Sequence, residues 1–158
     1  MIKCYKVAGH EFQLEMPDDY PLWPFLTQYG PFEVKPSAVP VFCLSLVESL
    51  PECTKEPLLV RDDIEDDESR IDLYSAGDDL FVEMAPVSKS PVCAHLLMSG
   101  DFSRGSLLIL QNNRQSALFS VNNAMMLMFA FSTASLGTLE MHSSVILNNG
   151  RAYLFLGK

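Results

Sequence analysis

Three histidines, at positions 10, 95 and 142, are the side chains of this sequence best suited to acid–base chemistry near neutral pH. An imidazole titrates close to neutrality, so it can act as a general acid or base or contact a phosphate. His10 and His95 have no carboxylate or cysteine at a telling spacing, and both are interpreted as structural. His142, in Met141-His142-Ser143-Ser144-Val145, is the candidate catalytic residue. The alternative for His142 is a hydrogen-bonded histidine at a strand end, because neither a nucleophile nor a bound phosphate is evident beside it.

Clustered carboxylates and cysteines could also hold a metal, but their spacing does not favour one. The run RDDIEDDESR at 61–70 has six carboxylates and lacks the central glycine and ligand order of a calcium loop. It is interpreted as a solvated hairpin tip. None of the four cysteines forms a C-x-x-C pair, and we expect them to be buried, reduced thiols in a cytoplasmic protein (Cys4, Cys43, Cys53, Cys93). No metal site is predicted.

Composition limits the classes of partner. The formal net charge is −9, which argues against electrostatic binding to nucleic acid or to an anionic membrane. The hydrophobic content of 48% is enough to build a core. The N-terminus has no apolar stretch of signal-peptide length, and the longest apolar run, 124–131, is far short of the roughly 20 residues of a membrane span. We therefore expect neither a nucleic-acid nor a membrane partner.

The spacing of apolar residues and turn signals predicts an α+β fold: a mostly antiparallel β meander, one buried helix and a C-terminal β-hairpin. The segment 17–40 holds six of the ten prolines, so it should contain neither a long helix nor a central strand, and its aromatic residues should anchor it to the core. A helix is predicted from the capping pair Asn122-Asn123 to Gly137. The organisation is then a β-rich region at 1–120, and the helix and hairpin at 121–158. Strands are predicted at 1–7, 11–16, 41–47, 58–61, 69–74, 80–84, 94–98, 107–111, 116–120, 138–147 and 151–156.

The segment AMMLMFAFSTASLGTLEMHSSVILNNGRAYLFLGK resembles the stretch before the P-loop in the HPr kinase/phosphorylase and phosphoenolpyruvate carboxykinase-like superfamily, in particular an HPr-kinase-related branch. Members show a helix, a His-Ala-Ser or His-Ser-Ser strand, a hairpin, and a strand that runs into G-K-S-G-T-G-K-S-T. The matching residues are 141–145 and Tyr153-Leu154-Phe155-Leu156-Gly157-Lys158. The stretches VAGHEFQLEMP and YGPFEV resemble the start of the same branch, whereas 47–111 matches only in its strand-rich character.

The resemblance implies that Gly157 is the first glycine of the phosphate loop and Lys158 its first variable position, at the start of an incomplete nucleotide-binding motif. Lys158 is then not the lysine that reaches the outer phosphates. It also implies that His142 lies close to the phosphate-binding region, and that ATP and Mg²⁺ are cofactors of the complete family protein, with none in this chain.

Two functions follow as hypotheses. The first is the non-catalytic N-terminal portion of an HPr-kinase-like, ATP-dependent serine or small-molecule phosphotransferase, which scaffolds the kinase core. Its partner would be the remainder of that core, or a second copy bound through the C-terminal hairpin, whose strand would otherwise be an exposed edge. The alternative is a free-standing, intracellular β-rich interaction module that holds a partner through the Trp23–Phe32 loop or a sheet face.

Overall fold

The chain folds into a nine-stranded sheet with one α-helix on one of its faces, followed by a separate two-stranded hairpin. This computed structural model describes residues 1–36, 39–60, 68–111, 113–140 and 143–156. The helix α1 is Arg114–Ala134. The strands are β1 (Ile2–Val7), β2 (His10–Glu15), β3 (Glu33–Val34), β4 (Phe42–Leu46), β5 (Glu56–Leu59), β6 (Arg70–Ala76), β7 (Asp79–Ala85), β8 (Ala94–Met98), β9 (Arg104–Ile109), β10 (Ser143–Asn148) and β11 (Arg151–Leu156).

The large sheet has the order β3-β1-β2-β4-β9-β8-β7-β6-β5 and is mostly antiparallel. The predicted meander is confirmed for β5 to β9, where each strand pairs with the next. The prediction did not include the position of β4, which lies between β2 and β9 and runs parallel to both. Parallel neighbours need long crossover connections, and the chain supplies one on each side of β4 in sequence.

The hydrophobic core lies between the sheet and α1. Alternate residues of the strands point to opposite faces of a sheet, and one set of them packs on the helix. Phe42 and Leu44 of β4, Leu96 of β8, and Val121 and Met128 of α1 are all 0% exposed. Each such side chain contributes roughly 1.5–3 kcal/mol by leaving water, so this two-layer core dominates the stability of the fold.

The connection from β2 to β4 crosses the sheet on the same face as α1, as its described residues 16–36 show. As predicted, the described part of this segment, 16–36 and 39–41, has no long helix and no central strand; it contains two 3₁₀ turns, at Trp23–Phe25 and Thr27–Phe32, and the two-residue edge strand β3. Leu22 and Leu26 are the buried anchors. The prediction that the aromatic residues anchor the segment is wrong for Phe25 and Phe32, which are 40% and 43% exposed.

The helix begins earlier than predicted. Asn113 is the N-cap, because its side-chain oxygen accepts a hydrogen bond from the backbone N–H of Ser116 at 2.8 Å. The predicted strand at 116–120 is therefore wrong, because these residues form the first turns of α1. The helix also runs without a break across the predicted boundary between 1–120 and 121–158. Asn122 and Asn123 lie inside the helix, where Asn123 donates to the carbonyl of Phe119 at 2.8 Å.

Only the sheet-facing side of α1 is fully covered. Ala117, Val121, Ala124 and Met128 are buried, whereas Met126 is 40% exposed. The prediction of a largely buried helix therefore holds for the side that faces the sheet and not for the side that carries Met126. By length and composition alone α1 would suffice to cross a membrane. In the structure α1 packs on the sheet, and 39% of its most apolar 18-residue stretch is buried. A single helix of sufficient length and hydropathy is weak evidence for a membrane span, because core helices have the same properties.

The predicted C-terminal hairpin is present, but its first strand begins at Ser143, and the described residues 138–140 of the predicted strand 138–147 are not in a strand. β10 and β11 pair antiparallel from Ser143↔Leu156 to Asn148↔Arg151. The turn residues Asn149 and Gly150 have φ values of 48° and 74°, as the tightest hairpin turns require.

Candidate functional site

The three predicted site residues, His142, Gly157 and Lys158, lie outside the described residues. The structure describes the hairpin that they adjoin in sequence. Its register pairs Ser143 with Leu156, the residues next to His142 and Gly157 along the chain. The open end of the hairpin is therefore formed by the sequence neighbours of His142 and Gly157.

A pocket of about 320 Å³ lies between α1 and the β1–β2 hairpin, where the chain leaves the helix toward β10. Its floor is apolar and includes Phe12, Met125 and Phe129, and its polar groups come from Asn122, Thr138 and Glu140. A mostly apolar cavity with a few converging polar groups is the usual character of a binding pocket. This makes the pocket the candidate site nearest in sequence to the predicted residues.

Hydrogen bonds hold the walls of this pocket in place. The hydroxyl of Tyr29 donates to Asn122 at 2.9 Å and ties the crossover segment to the helix. His10 Nε2 lies 2.6 Å from the hydroxyl of Thr138 and ties the β1–β2 turn to the segment after the helix. The bond to Thr138 agrees with the structural role predicted for His10. Desolvation at the mouth of the pocket raises the pKa of Glu140.

A second group of titratable side chains lies on the face of the sheet opposite α1. The carboxylate of Glu83 is its centre: Lys55 Nζ is 2.8 Å from Oε1, and His95 Nε2 is 3.8 Å from the same oxygen. The hydroxyl of Tyr74 lies 3.4 Å from Oε2. The Lys55 ammonium also lies 4.3 Å from the centre of the Phe81 ring, within cation–π range.

Burial lowers the pKa of His95; the Glu83 carboxylate raises it in part, and the Lys55 ammonium lowers it. His95 is therefore a neutral imidazole at neutral pH, and the Lys55 ammonium balances the negative charge of Glu83. Burial, followed by the charges of Glu83 and Asp72, raises the pKa of Tyr74. A neutral histidine beside a compensated carboxylate fits a structural role, as predicted for His95.

Glu83 was not predicted as the partner of His95. The two residues are twelve positions apart, and the antiparallel register of β7 and β8 places them directly opposite each other. The turn residues Lys89-Ser90-Pro91, between the predicted strands 80–84 and 94–98, could have indicated this pair, since a hairpin pairs residues that flank its turn at matching distances.

The cysteines occupy three kinds of surroundings. Cys4 and Cys93 are buried, Cys43 is half-buried, and Cys53 is exposed, so the prediction that all four are buried is wrong for Cys53. Cys43 donates a 3.3 Å hydrogen bond to Gln13 Oε1. Across the described ranges, no three side chains of histidine, cysteine, aspartate or glutamate are grouped as a metal site.

Comparison of the chain with protein-family models, with curated proteins and with solved structures found no match. The resemblance to the HPr-kinase-related branch therefore stays a prediction from the residues at 124–158 and at the N-terminus.

Proposed function

We propose that this chain is the non-catalytic N-terminal portion of an HPr-kinase-like, ATP-dependent phosphotransferase, and that it scaffolds the kinase core. The acceptor would be a serine or a small molecule. Residues 121–158 would join the β-rich region to that core, ATP and Mg²⁺ would bind to the complete protein, and the compartment would be the cytoplasm, in keeping with four free thiols.

The hairpin carries this proposal. In the family resemblance, a helix is followed by a histidine strand, a tight turn and a strand that delivers the phosphate loop. The structure has α1, then β10 directly after His142 in sequence, the Asn149-Gly150 turn, and β11 directly before Gly157. The order and spacing of these elements support the proposed role of β11 as the strand that leads into a P-loop.

An exposed apolar surface near the hairpin supports a contact with further protein. Leu139 is 78% exposed, Leu136 is 56% exposed, and Met126 on α1 is 40% exposed. Met126 and Leu139 also line the pocket between α1 and the β1–β2 hairpin. Large apolar side chains grouped beside a pocket are typical of an interaction surface, and in this proposal the surface packs on the kinase core.

The test starts with the coding sequence beyond codon 158. We expect three variable residues followed by Gly-Lys and Ser or Thr, and we expect the encoded longer protein to bind Mg·ATP in calorimetry while residues 1–158 alone do not. Replacement of the motif lysine by methionine should abolish binding. A stop codon directly after 158, or a longer protein without Mg·ATP binding, would overturn the proposal.

The scaffolding part has its own test in that longer protein. Met126→Lys and Leu139→Lys should lower phosphotransfer activity, because they place charges in the proposed contact with the core. Leu58→Lys is the matched control, since Leu58 is 62% exposed on β5 at the far edge of the sheet. Equal activity in all three variants would contradict a scaffold role for this surface.

A free-standing interaction module is the second candidate, and the exposure of Phe25 and Phe32 favours it. Aromatic side chains are enriched in protein interfaces, and these two lie in the segment predicted to hold a partner. The chain could also self-associate through the C-terminal hairpin.

Light scattering of the wild type and of the double variant Phe25→Ser/Phe32→Ser distinguishes a contact through the aromatic segment from one through the hairpin. If the wild type is a dimer and the variant is a monomer, the contact lies in the aromatic segment. If the variant is still a dimer, the contact lies elsewhere.

A further inference from the structure

An open cleft of about 580 Å³ lies at the carboxyl ends of the three parallel strands, β2, β4 and β9. It is distinct from the pocket beside α1 and shares no lining residue with it. Each strand contributes a wall through its last residues or those that follow. The residues that matter here are Asp19 and Tyr20 after β2, Leu46, Val47 and Glu48 at the end of β4, and Leu108 of β9.

The topology explains why a cleft forms there. The chain leaves β2 on the helix face, where Leu22 and Leu26 join the core and Tyr29 bonds to Asn122. It leaves β4 toward the opposite face, where Lys55 lies over Phe81 and binds Glu83. Where neighbouring parallel strands send their connections to opposite faces, the connections part and leave a crevice outside the carboxyl ends of the strands, which is the usual ligand site of open sheets.

The charged side chains that line the cleft are both acidic. Asp19 and Glu48 are both exposed at the rim. Among the described residues that line the cleft there is no lysine, arginine or histidine. Arg114 lines the neighbouring pocket beyond Tyr20, where its guanidinium lies 4.8 Å from the centre of the Phe25 ring.

The lining combines aliphatic side chains with polar groups. Leu46, Val47 and Leu108 are half-buried. The strand register places Leu46 on the helix face and Leu108, opposite His95, on the other face, so the two leucines lie on either side of the sheet's end. Tyr20 is also half-buried, and desolvation raises the pKa of its phenol, so it presents a neutral hydroxyl. The chain's own N-terminal ammonium is held by Asp18, a neighbour of Asp19 that does not line the cleft. Asp19 and Glu48 therefore supply the charge that a ligand would meet.

We propose that this cleft binds a small organic ammonium ion, with its cationic head at the rim that Asp19 and Glu48 line and its aliphatic body inside the cleft, among Leu46, Val47 and Leu108. The volume lies in the range of about 300–1,000 Å³ found for small-molecule sites. A cation is favoured because both charges at the rim are negative, and the apolar walls favour an organic amine over a metal ion. This site does not depend on the proposed phosphotransferase role.

The test uses three probes of one size and shape: hexylammonium, 1-hexanol and hexanoate. Binding to the 158-residue chain is followed by backbone amide NMR shifts at residues 46–48 and 108–109. We expect saturable binding of hexylammonium in the millimolar range typical of so small a ligand. Hexanol should bind about fivefold more weakly, and hexanoate should not bind, because the rim charges attract only the ammonium head.

Variants at the exposed rim separate the charge from the cavity. Glu48→Gln should weaken hexylammonium binding about three- to fivefold, as expected for one partly screened ion pair, and Asp19→Asn should do the same. Glu48→Lys should reduce hexylammonium binding further and allow hexanoate to bind. The matched control is Glu56→Gln, an exposed glutamate on β5, which should leave all three affinities unchanged.

The outcomes are decisive in both directions. A reversal of probe preference in Glu48→Lys, with shifts confined to the cleft, supports the site. Shifts that do not saturate, equal binding of hexylammonium and hexanoate, or hexylammonium binding that Glu48→Gln leaves unchanged would overturn it. Shifts centred on Met125 and Phe129 instead would assign the probe to the pocket beside α1 and also overturn the proposal.

Discussion

Lys55 and Glu83 are joined by an ion pair of 2.8 Å on the face of the sheet opposite the helix. Lys55 belongs to the connection from β4 to β5, and Glu83 belongs to β7, so the pair ties a crossover segment to the middle of the meander. The Lys55 ammonium also covers the ring of Phe81, which is 4% exposed. His95, across the strand pair, therefore lies beside one anion and one cation whose effects oppose each other.

The first prediction concerns the pKa of His95. Because Glu83 raises this pKa and Lys55 lowers it, Glu83→Gln should move the pKa down and Lys55→Met should move it up. An NMR titration of the imidazole proton signals measures both shifts. Lys6→Met is the control, since it removes a charge from the β1–β2 hairpin, far from β7 and β8 in the sheet, and it should leave the pKa of His95 unchanged. Shifts of the same sign in the two variants would show that one of the two charges does not act on His95 as the geometry requires.

The second prediction is a loss of stability in mild acid. The pKa of His95 is lower in the folded protein than its ordinary value, so the unfolded chain binds a proton first as the pH falls. The free energy of unfolding should therefore decrease from about pH 6.5 down to the folded pKa of His95, and this contribution should level off below it. Urea unfolding of the wild type and of His95→Gln over this window isolates the effect, because the carboxylates are common to both. Parallel curves would contradict it.

The third prediction tests the start of α1. Asn113→Ala removes the side-chain oxygen that accepts from the N–H of Ser116, and should lower the free energy of unfolding by about 1 kcal/mol. Asn113→Asp keeps an acceptor at the same place and should be nearly neutral. Urea unfolding with both variants measures the difference. If the two substitutions cost the same, the cap does not stabilise the helix.

Local sequence signals predicted the hairpins and most strands, because turn residues and alternation are properties of a few adjacent positions. The helix start was predicted at Asn122-Asn123, but the cap is Asn113, which belongs to a similar pair ten residues earlier in the sequence. Asn122 is accommodated inside the helix because Tyr29, 93 positions away, donates to its oxygen. The parallel placement of β4 and the cleft at the strand ends depend on long-range pairing that no local pattern specifies.

The fourth prediction concerns a close backbone approach in the turn between β8 and β9. A Cβ atom at Gly100 would lie 2.4 Å from the backbone oxygen of Asp78, and a backbone atom cannot move aside as a flexible side chain can. Gly100→Ala should therefore cost about 1–3 kcal/mol of stability. Gly30→Ala is the matched control, since nothing lies within 4 Å of a Cβ there and its φ is not positive. Thermal unfolding of the two variants should separate them clearly, and similar melting temperatures would contradict the close approach.

The last prediction concerns the hairpin on which the proposed function rests. Gly150 has a φ of 74° in the turn between β10 and β11, a conformation that costs a β-branched residue roughly 1–2 kcal/mol. Gly150→Val should therefore open this hairpin selectively and speed hydrogen exchange of the amides at 143–148 and 151–156, while the β1–β2 amides stay protected. Gly150→Asn should be close to wild type, because asparagine tolerates positive φ. If the valine variant protects the hairpin amides as well as the wild type does, the turn does not define the hairpin. If the proposed function holds, the same valine substitution should also reduce Mg·ATP binding by the proposed longer protein, because in that proposal β11 holds the start of the phosphate loop in place.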